Sequence, residues 1–283
     1  MTKKIDKKIK VKNILILLVS FNLFFLCSKI YNPFNEKKVE AKPLSEYSNE
    51  IQSSEKKYTY DVKKIKNALE KNHQIDNEKL AFLTFDDGPS VITPKVLNVL
   101  KQSNVKATFF LVGRAIEHTD LNKKLVKKIY EEGHSLGNHS YSHLLNKLYP
   151  KNKINIETCI NEINKTNNLI KKIVGQNFTT RVVRIPGGFF SRRYYKDPNL
   201  NKFEAELKKN NMYNIDWNIY ALDCEAKNKN AGEIFEAVKN SVGNKRKVVI
   251  LMHDSYGKEE TVKALPRIIN YLKGKGFKFK VIK

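Results

Sequence analysis

A pair of carboxylates directly follows an apolar run and precedes residues that are typical of a tight turn. Asp86 and Asp87 come after residues 80–85 (LAFLTF) and before Gly88 and Pro89. Two like charges side by side raise each other's pKa unless a cation lies near them. The pair therefore predicts a metal site, and the alternative is an ordinary turn, because Asp-Gly-Pro is common turn chemistry.

Two histidines supply donors of the kind that such a metal needs. His139 and His143 are the first and last residues of the segment HSYSH. On a helical turn this spacing places both imidazoles on one face. With one aspartate from the first loop they form a set of two histidines and one carboxylate, which leaves a coordination position open, as catalytic zinc requires. Taken alone, such a histidine pair is more often an ordinary surface or core feature.

Two further apolar runs also end in residues that can do chemistry. His253 follows residues 247–252, and an imidazole there can act as a general acid because its reference pKa lies near neutrality. Arg184 precedes an Ile-Pro-Gly-Gly segment and can pair with a carboxylate, while a backbone N–H of the glycines can bind an oxyanion. The alternatives are a loop histidine, a surface arginine and a tight turn.

These positions are explained if short apolar strands alternate with amphipathic helices from residue 80 onward. Strands are predicted at 80–85, 107–112, 182–185, 212–217, 247–252 and 277–282, and helices at 94–102, 121–132, 155–173, 203–210, 231–241 and 261–273. Thr93 and Asp120 are the expected N-caps of the first two helices. Such alternation predicts an α/β fold with a parallel sheet, closed into a distorted (β/α) barrel of about seven units. Function then collects at the carboxyl ends of its strands.

The first 77 residues do not follow this pattern. Residues 1–12 contain six lysines, residues 14–27 form an almost unbroken apolar run, and residues 31–57 are polar with two prolines. The lysines and the apolar run predict a cytoplasmic tip and an uncleaved signal-anchor over residues 1–30. Residues 31–77 are predicted to form an extracellular stalk with a short helix near 61–69, and residues 78–283 a catalytic domain. Secretion after cleavage behind Ala41 is the alternative.

Charge and cysteines narrow the class of protein only slightly. The net charge of +24 suits nucleic acid, an acidic membrane or an acidic cell wall, and solubilising lysines explain it equally well. The export signal and the lack of a recognised binding motif argue against nucleic acid. Cys27, Cys159 and Cys224 show no CxxC spacing, which argues against a zinc knuckle or a thioredoxin-like site. A disulfide between Cys159 and Cys224 stays open, because the sequence does not test its geometry.

Together, the four strand ends resemble the motifs of the nodulation-protein-B-like polysaccharide deacetylases, carbohydrate esterase family four. The resemblance covers about residues 78–283, and the motifs occur in the family's order. The matching segments are TFDDG at 84–88, HSYSH at 139–143 against HSxxH, RIPG at 184–187 against the arginine-proline segment, and LMH at 251–253 against LxH.

The resemblance implies a role for each of these residues. Asp86 would be the catalytic base and His253 the general acid. Asp87, His139 and His143 would bind one divalent metal ion. Zinc is the expected metal by ligand type, with cobalt, nickel and iron as alternatives.

The same resemblance implies supporting residues and one departure from the family. Arg184 would orient Asp86, and the N–H of Gly187 would bind the oxyanion. The family's DxxDW motif falls on residues 220–224, where only Asp223 matches and would tether His253. Because Cys224 replaces the tryptophan that lines the acetyl pocket, Leu251 and Trp217 are the expected pocket residues.

The implied reaction is hydrolysis of N-acetyl groups from an amino-sugar polymer with release of acetate. Peptidoglycan N-acetylglucosamine is the expected substrate, and muramic acid residues, chitin or an exopolysaccharide are alternatives. From another class, a catalytically silent glycan-binding protein on the same fold is the competing hypothesis. The expected partners are the glycan, anionic cell-wall polymers and the membrane, with a monomeric chain and no nucleic acid.

Overall fold

The computed structural model describes residues 57–71, 77–225 and 229–283, and in them a parallel sheet forms the centre of the fold. The strands are β1 Thr59–Tyr60, β2 Leu80–Asp86, β3 Thr108–Leu111, β4 Ser135–Asn138, β5 Val182–Val183, β6 Tyr213–Asn214, β7 Ile219–Tyr220, β8 Lys247–His253, β9 Lys278–Phe279 and β10 Val281–Ile282. Seven strands follow the order β6-β5-β4-β3-β2-β8-β7, β9 pairs with β2, and β1 pairs with β10. The predicted distorted barrel is confirmed as a curled half-barrel.

Helices connect these strands, as the alternation predicts. They are α1 Val62–Lys71, α2 Thr93–Gln102, α3 Gly113–Glu117, α4 Asp120–Glu131, α5 Leu145–Leu148, α6 Ile156–Val174, α7 Gly188–Tyr194, α8 Leu200–Lys209, α9 Ala231–Val242 and α10 Glu259–Gly274. Both predicted N-caps are wrong. Thr119 caps α4 by accepting from the N–H of Asn122, and Thr93 lies inside the first turn of α2, where its Oγ1 accepts from the N–H of Ser90.

The two long strands, β2 and β8, lie side by side in the middle of the sheet and are buried along their whole length. A parallel strand that is covered on both faces needs apolar side chains on both faces, which explains their unbroken apolar sequences. On the outer face, a large apolar cluster packs residues of β2, β3 and β8 against α2, α4, α9 and α10.

Helix α1 belongs to the folded domain and fills the inner face of the sheet. Val62 and Ile65 are fully buried and pack in one cluster with Phe82, Phe110 and Val249. The weak helical spacing near residues 61–69 therefore marks a helix that packs on the barrel. Burial of apolar surface is the dominant favourable term in folding, so α1 stabilises the half-barrel from inside.

Within the described ranges, no helix is long and apolar enough to cross a membrane. The predicted signal-anchor at 1–30 and the predicted stalk up to residue 56 lie outside those ranges. Both stay predictions.

Candidate active site

The carboxyl ends of strands β2, β4, β5 and β8 bring the predicted residues together. Asp86 ends β2 and His253 ends β8, and the two are register partners across the strand pair. His139 follows directly after β4, and Arg184 follows directly after β5. Residues that are up to 167 positions apart in the chain thus meet at one mouth, as the parallel topology predicts.

Asp86 is buried and is paired with a fully buried arginine. Nη1 of Arg184 donates to Asp86 Oδ1 and to Thr84 Oγ1, both at 2.8 Å. Its other nitrogens donate to the carbonyl oxygens of Ile215 and Asp216. The guanidinium also lies 4.1 Å from the ring centroid of Phe110. Because every nitrogen of the guanidinium has a partner, Arg184 holds the Asp86 carboxylate in one orientation.

Asp87 and the two histidines form a cluster of potential metal ligands. Asp87 Oδ1 lies 3.4 Å from Nε2 of His139 and 3.2 Å from Nε2 of His143. Despite these distances, this buried oxygen has no hydrogen-bond partner among the described residues. Ligands bound at about 2.0–2.1 Å around a tetrahedral cation lie about 3.3 Å from one another. The spacing and the unpartnered oxygen both fit a shared divalent ion.

The two histidines do not lie on a helical turn, so that part of the sequence prediction is wrong. They belong to a loop in which Ser140 and His143 have positive φ values of 64° and 56°. The loop is held by hydrogen bonds from the Ser140 N–H to Asn138 Oδ1 and from the His143 N–H to Ser140 Oγ. This loop still brings both imidazoles to Asp87.

Electrostatics favour a cation at this cluster. Burial opposes protonation of His139, but the carboxylates of Asp86 and Asp87 outweigh it and raise the pKa of this histidine. Burial and the neighbouring His139 lower the pKa of His143. The His139 Nδ1 atom lies 2.6 Å from the carbonyl oxygen of Arg184 and donates to it, so Nε2 is the nitrogen that faces Asp87.

On the opposite side of the mouth, Asp223 holds His253. Asp223 Oδ1 lies 2.8 Å from His253 Nδ1, and Oδ2 accepts from the His253 N–H and from Thr261 Oγ1. Burial would lower the pKa of His253, but Asp223 outweighs it and raises this pKa well above its ordinary value. His253 therefore holds a proton more firmly than a free imidazole does.

The other predicted residues lie around this mouth. Gly187 has a left-handed conformation directly before α7. Trp217 is half-buried, and its ring lies 5.5 Å from the Arg184 guanidinium and so close to Gly188 that a Cβ there would clash. Leu251 is buried two residues before His253.

The comparisons with known proteins agree with this geometry. A family profile described as polysaccharide deacetylase matches residues 73–205. A peptidoglycan-N-acetylglucosamine deacetylase of Bacillus cereus is 31% identical over 208 residues, which cover 72% of this chain and 86% of the relative. The chain belongs to the polysaccharide deacetylase family. Another Bacillus cereus protein of the same name is 29% identical, and the match covers 97% of this chain and 93% of the length of that protein.

A solved structure supports the same assignment at the level of the fold. The Streptococcus mutans CE4 esterase superimposes with a TM-score of 0.73 and is 35% identical. The match covers 81% of this chain and 94% of the esterase chain.

Sequence reasoning missed two acidic residues of this polysaccharide deacetylase. Asp216 caps α7 by accepting from the N–H groups of Phe189 and Phe190. Asp254 is fully buried, accepts from Thr93 Oγ1, and has its pKa raised to about 7 by burial and the nearby Asp87. The sequence offered one signal for each of them: Asp216 directly precedes Trp217, and Asp254 directly follows His253.

The alternative of a disulfide is not realised. Cys159 and Cys224 are both free thiols, the first buried and the second exposed. Cys224 lies beside Tyr220, with 2.8 Å between its Sγ and the Tyr220 hydroxyl oxygen.

We predict that the Arg184→Met substitution lowers the free energy of unfolding by about 3–5 kcal/mol, because it leaves the buried Asp86 carboxylate without its partner. Urea unfolding followed by circular dichroism measures this loss. The control is Arg193→Met, since Arg193 is half-exposed and lies 3.4 Å from Glu70. That surface pair should contribute at most about 1 kcal/mol. If both variants lost the same free energy of unfolding, the buried Arg184–Asp86 pair would contribute no more to stability than the surface pair.

Proposed function

We propose that this polysaccharide deacetylase removes N-acetyl groups from peptidoglycan N-acetylglucosamine in a reaction that depends on one divalent metal ion. The observation that carries the proposal is the buried, unpartnered Asp87 Oδ1 between two imidazole nitrogens, with Asp86 and His253 at neighbouring strand ends. Asp87, His139 and His143 would hold the ion. Two imidazoles and one carboxylate suit zinc, and the same set can hold cobalt, nickel or iron. When bound, such an ion polarises a carbonyl oxygen and acidifies water.

The residues of the chain divide the proton transfers between them. Asp86, oriented by Arg184, accepts the proton of the attacking water. The N–H of Gly187, ahead of the first turn of α7, stabilises the oxyanion that forms on the acetyl carbonyl. His253 then donates its proton to the amine as acetate leaves, and Asp223 keeps the imidazole charged and oriented until that step.

An aromatic row beside the mouth supports a sugar substrate. Phe190, Trp217 and Tyr220 are each at least partly exposed, and their ring centroids are separated by 6.1 Å and 6.2 Å in turn. Such rings offer large apolar faces on which the C–H face of a pyranose can pack. Trp217 and Leu251 are the proposed lining of the acetyl pocket, with Trp217 in place of the tryptophan that is absent at position 224.

The choice of peptidoglycan is supported by two relatives that are named peptidoglycan-N-acetylglucosamine deacetylases. A net charge of +24 also suits a cell wall that carries anionic polymers, which are the second proposed partner. Acetate release from defined glycans tests this choice. Release from acetylated muramic acid, chitin or an exopolysaccharide, without release from the N-acetylglucosamine of peptidoglycan strands, would reassign the substrate.

The metal site predicts a specific loss of bound ion. Chelation should abolish acetate release, and added zinc or cobalt should restore it. Asp87→Ala should reduce metal affinity by more than about 100-fold, since residues behind a ligand already contribute 10- to 100-fold. Metal content after dialysis, measured by atomic emission, is the readout that does not depend on activity. His118→Gln, at an exposed histidine, is the control and should keep its metal. Full activity in metal-free protein would contradict the proposal.

The acid and base roles predict a bell-shaped dependence of kcat/KM on pH. Because the pKa of His253 is raised, its protonated form persists above pH 6.5, and the alkaline limb should lie above that value. Asp223→Asn should move this limb to lower pH, since the imidazolium loses its carboxylate. Asp86→Asn should keep the metal and lower the rate by about 10²- to 10⁴-fold.

An activated acetate ester is the matched control substrate for testing His253 as the general acid. Its alcohol is a better leaving group than an amine and depends less on protonation. His253→Ala should therefore impair the ester less than the amide. If both substrates lost equally, or if this variant lost its metal, His253 would be a ligand or a structural residue.

We also propose that residues 1–30 anchor the protein in the cell membrane, that the predicted stalk of residues 31–77 ends in α1, which packs on the folded domain, and that the catalytic domain at 78–283 lies outside the cell. The lysine-rich start and the apolar run at 14–27 support this arrangement. The protein should sediment with membranes, and protease added to wall-free cells should cut beyond residue 31. Recovery of a soluble form that begins near Lys42 would indicate a cleaved signal.

A further inference from the structure

A thiol stands beside the proposed general acid, at the position where the family pattern has tryptophan. Donor atoms of Cys224, Asp223 and His253 all lie within 4.8 Å of one another. Cys224 is exposed, so small reagents can reach its sulfur from solvent. The hydroxyl oxygen of Tyr220 lies 2.8 Å from the same sulfur. The cysteine is thus part of a cluster of polar groups.

The groups around this sulfur favour its ionised form. The carboxylate of Asp223 is already engaged by His253 and by Thr261, while a ring nitrogen of His253 lies within 4.8 Å of the sulfur and the Tyr220 hydroxyl oxygen lies 2.8 Å from it. The nearby His253 imidazole and then the Tyr220 hydroxyl lower the pKa of the Cys224 thiol, although burial and the Asp223 carboxylate oppose them.

Among the described residues next to this cluster are one cation and one further carboxylate. Lys258 donates to the carbonyl oxygen of Asp223, which places a positive charge next to the cluster. Burial, Cys224 and the following residue Glu225 all raise the pKa of Tyr220, so its hydroxyl stays protonated. A partly exposed thiol beside a hydroxyl donor, an imidazole and a cation is the setting in which cysteines are reactive.

Cys159 provides an internal contrast. It is buried, its Sγ donates to the carbonyl oxygen of Leu148, and burial raises the pKa of its thiol to about 12. At neutral pH almost none of it is thiolate, and the thiolate is the nucleophile. The chain therefore holds one activated and one inert thiol within its described residues.

We propose that Cys224 is a modification site that reacts with peroxides and other soft electrophiles, and that its modified form blocks His253. With hydrogen peroxide, the thiolate sulfur attacks one oxygen, the O–O bond breaks, and hydroxide leaves and takes a proton from water or His253. The sulfur is oxidised by two electrons to a sulfenic acid, and the peroxide is reduced. A small thiol then forms a mixed disulfide with loss of water, and a second molecule of it releases the original thiol.

Modification affects the proposed reaction through His253. An oxygen or alkyl group added to the sulfur lies next to His253, whose ring nitrogen is within 4.8 Å of that sulfur, and it removes the thiolate charge beside the imidazole. This consequence rests on the proposed function, whereas the reactivity of the thiol does not. Two separate measurements therefore test the two parts.

The first measurement is alkylation by iodoacetamide at pH 7, mapped to each cysteine by mass spectrometry. It uses the full chain with Cys27→Ser, which removes the third thiol. Cys224 should react at least about 100-fold faster than Cys159, and faster than the same cysteine in urea-unfolded chain, which lacks the activating donors. His253→Gln should slow the reaction at Cys224 and leave Cys159 unchanged. A native rate at Cys224 below the unfolded rate, or no effect of His253→Gln, would overturn the proposal.

The second measurement is acetate release after treatment with hydrogen peroxide, followed by a small monothiol. Each protein is compared with its own untreated rate, in the Cys27→Ser chain and in the Cys27→Ser/Cys224→Ser chain. The first should lose most of its rate and recover it with the thiol, and the second should keep its rate. Equal loss in both chains, or full activity of chain alkylated at Cys224, would overturn the blocking of His253. If neither chain releases acetate before treatment, the proposed function fails and the alkylation rates still decide whether Cys224 is activated.

Discussion

The site depends on holding two adjacent carboxylates in one buried mouth. Asp86 and Asp87 are consecutive, and Asp254 adds a third carboxyl group nearby. Moving such charges out of water costs several kcal/mol each unless opposite charge and hydrogen bonds compensate. Arg184 compensates Asp86 from the interior, and the histidine pair forms a ligand cluster around Asp87 on the solvent side. The two aspartates thus have different partners although they are neighbours in sequence.

The parallel sheet fixes the position of the Arg184 guanidinium relative to the Asp86 carboxylate. Arg184 follows β5, three strands away from β2 in the sheet order, and reaches Asp86 across the inner face of the curled sheet. It is fixed on the way by the carbonyl oxygens of Ile215 and Asp216 and by the ring of Phe110. A planar guanidinium with five donors suits this task better than a lysine, whose single ammonium cannot reach four acceptors in fixed directions.

Sequence reasoning found the parts of the fold that are determined by simple apolar patterns. Strands β2 and β8 were predictable because both of their faces are buried. Strand β4 (SLGN) was not, because it is stabilised by specific polar contacts, such as Ser135 Oγ donating to the carbonyl oxygen of Ile282. Its Gly137 packs on Phe110, where a Cβ would lie 2.6 Å from the ring. The residues of the proposed metal site were predicted from their types, but the loop conformation of the two histidines was not, because a spacing of four residues does not distinguish a helix from a turn with positive φ values.

The same pairing of residues applies to the proposed base and the proposed acid. Asp86 is paired with the Arg184 guanidinium, and His253 faces the Asp223 carboxylate, which favours the protonated imidazole. The proposed acid is thereby held in the charge state that its task needs before a substrate arrives. Because Asp86 and His253 are register partners on adjacent strands, the sheet fixes their separation, and the proton can be taken at one side of the acetamide and returned at the other. Asp86 and His253 are held by Arg184 and Asp223, which come from two other loops, so substitution of either should disturb one proposed proton transfer and leave the opposite residue in place.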